Sequence, residues 1–171
     1  MDILRIVLRL IHIFAGVFWV GGVWMLTTYI GSTARALGKD AAPFMQHFTL
    51  RSGFQRAISI AAGLSLLSGL SLYWENFGNA IVINTGRGLA LTFGGAAGIV
   101  AFFIGIFVIG RTTNKIRTLA DSMAASGGPP SKDNLGMMQT MQEKVASAGA
   151  LTAVFMVLAL IGMTLSEHFA I

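Results

Sequence analysis

Charged residues are absent from four long stretches of the chain: Leu10–Ala34, Ala57–Trp74, Gly88–Gly110 and Val145–Ser166. The shortest has 18 residues and the longest 25. A helix rising about 1.5 Å per residue needs roughly 20 apolar residues to cross a bilayer core. The pattern therefore predicts an all-α, integral membrane four-helix bundle. Its spans lie at about 5–32, 54–75, 87–110 and 145–167, within a single transmembrane domain covering residues 1–171. The polar stretch 35–55, which contains Pro43, reads as a turn followed by an extension of the second span. Gly78, Asn79, Asn84 and Gly86 make the next connection short and turn-rich. In the longest connection, 111–144, Ile116, Leu119 and Met123 repeat at helical spacing, so the third helix runs on past the membrane. Gly127-Gly128-Pro129-Pro130 breaks it, and Asp133 is the expected cap of the fourth helix.

Within the first span, His12, Gly16, Trp19 and Val23 fall on one stripe at about 100° per residue, with Arg5 and Arg9 toward its mouth. Lipid removes the hydrophobic drive for helices to associate, so close backbone approach must hold them together. Three small-residue seams are spaced for this: Ala61-xxx-Ser65-xxx-Gly69, Gly94-xxx-Gly98 and Ala146-xxx-Ala150.

Composition agrees with the pattern. Hydrophobic residues make up 54% and charged residues 11%, less than half the share usual in soluble domains. The net charge of +5 would suit nucleic acid, but its distribution points to membrane topology and to no nucleic-acid partner. Nine of the twelve cations fall in the 1–2 and 3–4 connections. Only Arg5, Arg9 and Arg87 lie at the other end, with Asp2, Glu75 and Glu167. The positive-inside rule places 111–144 in the cytoplasm as a linker and both termini on the extracytoplasmic side. No cleavable signal peptide is expected, because the first apolar run is too long. The chain has no cysteine, which excludes disulfides and thiolate metal sites.

An ionisable residue inside a span is by default a functional candidate, and His12 is the one histidine well inside an apolar run. Neutral imidazole suits heme iron, copper or zinc. On the heme reading Gly16 would let a flat macrocycle lie against the helix, Arg5 and Arg9 would hold its propionates, and Trp19 would wall the pocket. Met163 or His168 are the candidate second ligands. A second protomer could also supply that ligand, or the iron could be five-coordinate. Two other roles stay open for His12: a hydrogen bond to a neighbouring helix, and a proton relay. Glu75 and Arg87, which bracket the 2–3 connection, could pair with each other.

His12, Trp19, Gly21 and Gly22 (H-x6-W-V-G-G), with Leu10 just upstream, resemble the first span of CopD-type copper-resistance membrane proteins and of HemJ-type protoporphyrinogen oxidases. The run HIFAGVFWVG is also similar to the membrane segment of bacterial urate oxidases fused to a cytochrome. Arg51 and Arg56 ahead of Gly63–Gly69 resemble the second span of these families. In HemJ-like proteins the matching histidine is regarded as a heme ligand, and the resemblance implies that role for His12. Those proteins carry a lysine and a further histidine around the third span, where this chain has neither. The expectation is a small multi-pass protein of the bacterial inner membrane that binds heme b, with copper as the alternative. It would pass electrons, or support an oxidoreductase with a quinone or another redox partner. Beyond the lipid bilayer its expected partners are further copies of itself or a larger membrane complex. A non-enzymatic accessory or assembly scaffold and a copper or small-solute transporter are the other readings.

Overall fold

The computed structural model describes residues 3–78, 81–127 and 129–169. Asp2, Asn79 and Gly128, used in the readings above, lie outside them, as does the side chain of Lys39. Among the described residues there is no strand. Four helices are long and apolar enough to cross a membrane: α1 (Ile3–Leu37), α2 (Phe54–Phe77), α3 (Gly86–Ala125) and α4 (Lys132–His168). The expected spans fall inside them. As expected, α3 runs beyond its apolar stretch and ends just before the Gly-Pro break.

Three local features differ from the sequence reading. Residues 38–53 are not a plain extension of α2. They form a 3-10 turn (Gly38–Ala41), a short helix (Ala42–Gln46) and a π-turn (His47–Arg51). Gly53 then takes φ +79°, a left-handed conformation that resets the chain direction before α2. The cap of α4 is Ser131, not Asp133; its hydroxyl accepts from the Asn134 N–H at 3.1 Å. Finally, α1 and α3 each contain a π-helical segment, Met25–Ile30 and Ile104–Gly110. A π-turn inserts an extra residue per turn, which a uniform 100° periodicity does not register.

The helices associate as two pairs, α1 on α2 and α3 on α4, with thinner contacts between pairs. The α3–α4 seam is a backbone crossing. A Cβ built on Gly94 would stand 2.9 Å from the Ala159 carbonyl oxygen, and one on Gly162 only 2.7 Å from Gly94 Cα. Gly94 therefore does what its spacing predicts, but Gly98 is loose, its nearest neighbour being Ala159 Cβ at 3.9 Å. The Ala146/Ala150 seam is not formed within the chain, because both residues are exposed. The buried face of α4 is instead Ala148, Gly149, Thr152, Met156, Ala159 and Gly162, running on to Ser166. Where the pairs meet, Trp19, Val23, Ile58, Ala61, Ala62, Ala101 and Met156 form the core, and Trp19 meets Phe102 edge-on.

A closed polar circuit fastens the 2–3 connection. The Val82 N–H donates to Tyr73 Oη (3.1 Å), and Thr92 donates to the Val82 carbonyl (3.2 Å). The one Thr92 hydrogen is thereby used, so Tyr73 must donate across the 2.7 Å contact to Thr92 Oγ1. Tyr73→Phe removes two of these three bonds and leaves a half-buried N–H unpaired. Thermal unfolding in detergent should show a loss of about 1–3 kcal/mol; an unchanged midpoint would mean the circuit contributes nothing.

Candidate functional site: an imidazole held between α1 and α2

The α1 stripe does three separate jobs. At its terminal end, His12 and Gly16 face α2. Trp19 and Val23 enter the core between the pairs, and beyond the π-turn's start Thr27 meets α4, its methyl 3.0 Å from a Cβ built on Gly149.

His12 is half-buried, and its Nδ1 lies 2.8 Å from the Ser65 carbonyl oxygen. A carbonyl can only accept, so Nδ1 carries the proton. Ser68 supports that assignment. Its Oγ stands 3.5 Å from Nδ1, while its own hydrogen goes to the Leu64 carbonyl at 2.6 Å, so a lone pair remains toward the ring. With the proton on Nδ1, the neutral ring keeps its lone pair on Nε2. Among the described residues Nε2 has no hydrogen-bond partner. The ring edge fits a notch at Gly69: a Cβ there would stand 2.7 Å from Cε1 and 3.0 Å from Nδ1, but 3.7 Å from Nε2. The Ala61–Ser65–Gly69 seam read from the sequence is thus the surface that receives His12.

The other expected site residues do not assemble around Nε2 as anticipated. The gap at Gly16 is closed by Ser65, whose Oγ lies 3.4 Å from a Cβ built there, so no flat group fits between the helices at that level. Trp19 sits two turns away in the core, about 10 Å along the axis from His12. Arg5 Nε is bonded to Glu75 Oε2 at 3.1 Å, which also replaces the expected Glu75–Arg87 pair. Arg87 Nε is buried without a partner among the described residues. Arg9 is exposed. Met163 contributes its backbone to the Gly94 crossing, and His168 lies exposed in the last turn of α4.

Among the described residues no group of three or more His, Asp or Glu could hold a metal ion. An open apolar groove of about 630 Å³ lies between α1 and α2, walled by Leu10, Phe14, Phe18, Ile60 and Leu64; His12 is not on its wall. The hydroxyls of Thr27 and Ser68 bond carbonyls of their own helices, and Thr92 belongs to the Tyr73 circuit.

Sequence reasoning singled out His12 and left open a hydrogen bond to a neighbouring helix, without identifying that helix as α2. It missed the Ser65 carbonyl, because backbone acceptors leave no residue signature. It also missed Gly162, although Gly162-xxx-Ser166 has the same small-residue spacing as the seams it named. The chain is a multi-pass, all-helical bundle of membrane type. Comparison with protein-family models, with curated proteins and with solved structures finds no match.

Proposed function

We propose that this chain is a bacterial inner-membrane protein that binds heme b through Nε2 of His12 and serves electron transfer or a membrane oxidoreductase. One observation carries the reading: an imidazole within the apolar part of a span, its Nδ1–H fixed on a backbone carbonyl and its Nε2 lone pair left unpartnered. That arrangement is how proteins orient a ligating histidine and raise its basicity. The donor fits the iron, and the cradle imagined at Gly16 does not. Bound heme would supply a one-electron couple. The chain's own part is to hold the ring, fix its tautomer and exclude water with surrounding apolar side chains. Copper would use the same nitrogen. The termini lie on the extracytoplasmic side in this proposal, following the cation distribution.

A second reading has support of its own. The His12 ring filling the Gly69 notch, and the backbone crossing at Gly94 and Gly162, are the marks of a tightly joined scaffold. In that case His12 clamps α1 to α2, and the protein acts as an accessory subunit. Titrating hemin into detergent-purified protein separates the two. The heme reading expects saturable one-to-one binding with a shifted Soret band. A protein that is colourless from heme-replete cells and takes up no hemin is the scaffold.

A further inference from the structure

We infer that the end of the bundle formed by the 1–2 and 3–4 connections carries a binding site for the phosphate of an anionic phospholipid headgroup, built by Arg51 and Arg117. Arg117 lies on the extension of α3, and its Nη2 donates to the Leu50 carbonyl, drawing that helix against the π-turn His47–Arg51. Gln46, Leu50, Arg51, Arg117 and Asp121 line the polar cleft between them, of about 290 Å³. Both guanidiniums are exposed, and neither has a carboxylate within ion-pair distance among the described residues. Asp121 shares the wall without pairing with either, so the cleft keeps a net positive charge and open donors.

Position selects a lipid as the occupant. Arg51 stands three residues before α2 begins at Phe54. Arg117 is seven residues past Gly110, the end of the third apolar run, or about 10 Å along the axis. Both therefore fall at headgroup depth, within reach for a long side chain that snorkels. On the same connection Phe44 stacks on Phe48, which meets Phe54 in a tilted contact, and Phe44 is exposed. Arg111 lies 4.8 Å over the Phe107 ring at the apolar edge. This end holds nine cations against Asp40, Asp121, Asp133 and Glu143, which accounts for the whole net charge of +5. A phosphodiester meets two forked donors there, and its acyl chains continue along the apolar helices.

Native mass spectrometry of the detergent-solubilised protein tests this. Phosphatidylglycerol should form more adducts than phosphatidylcholine. The double variant Arg51→Gln/Arg117→Gln should lose that preference by about tenfold or more, each cation at an anionic surface contributing about fivefold. Lys132→Gln/Lys144→Gln removes the same charge away from the cleft and should leave the preference intact. Helicity by circular dichroism confirms that the variants fold. Equal losses in the two double variants would reduce the effect to diffuse attraction, and an unchanged preference in the first would remove the site. Displacement of the lipid by millimolar inorganic phosphate would overturn the lipid assignment in favour of a free-anion site.

Discussion

Gly94→Leu is expected to separate α3 from α4 and to abolish the native bundle. The atoms a side chain would meet are the Ala159 carbonyl oxygen at 2.9 Å and the Met163 nitrogen at 3.1 Å from Cβ alone. Those are backbone atoms of an unbroken helix, so no rotamer change relieves them. The loss should exceed the roughly 1–3 kcal/mol of ordinary overpacking. Gly162→Leu should do the same from the other side, since its Cβ would lie 2.8 Å from the Ala90 carbonyl. Gly98→Ala is the control: its Cβ makes only an ordinary contact, and stability should hardly change. Unfolding in rising SDS, followed by circular dichroism, reads all three. If Gly94→Leu unfolds with Gly98→Ala and the native chain, the seam between the pair is not what holds it.

The second large effect is local. Gly69→Ala places a methyl 2.7 Å from Cε1 of His12, against the far end of a side chain that can swing away. The ring should leave the notch and give up the Ser65 carbonyl, at a cost of about 1 kcal/mol in stability. Binding through Nε2 should suffer far more than stability does. A ligand must be held close to its productive geometry, and loss of an orienting partner typically lowers affinity 10–100-fold. Hemin affinity and the SDS midpoint, measured on the same preparation, separate the two roles. A 10–100-fold fall in affinity beside a midpoint shift worth about 1 kcal/mol marks a ligand, and the same midpoint shift with affinity retained marks a clamp.

The fold was readable because spans announce themselves by length and by missing charge, and because Gly94 and the Ala61–Ser65–Gly69 row carried small-residue spacing. The Ala146/Ala150 row had equal spacing and stays exposed within the chain. Spacing marks where helices can approach, and the partner's shape decides where they do. For α4 the partner's notch was Gly94, which selected Gly162. The π-turns were hidden because hydropathy averages over the register shift they introduce. The site was half legible. An isolated imidazole in an apolar run stood out, but its hydrogen-bond acceptor is a peptide carbonyl. The capture of Arg5 by Glu75 joins residues 70 positions apart, a pairing no local pattern specifies. The Gly16 gap looked like room for a guest because the sequence does not show Ser65 filling it.

The most direct measurement is the visible spectrum of the native protein beside His12→Ala, each purified from heme-replete cells. A Soret band in the native protein that is absent from the variant, with helicity retained, is what ligation through Nε2 predicts. A band of equal intensity in both, or none in either, would contradict it.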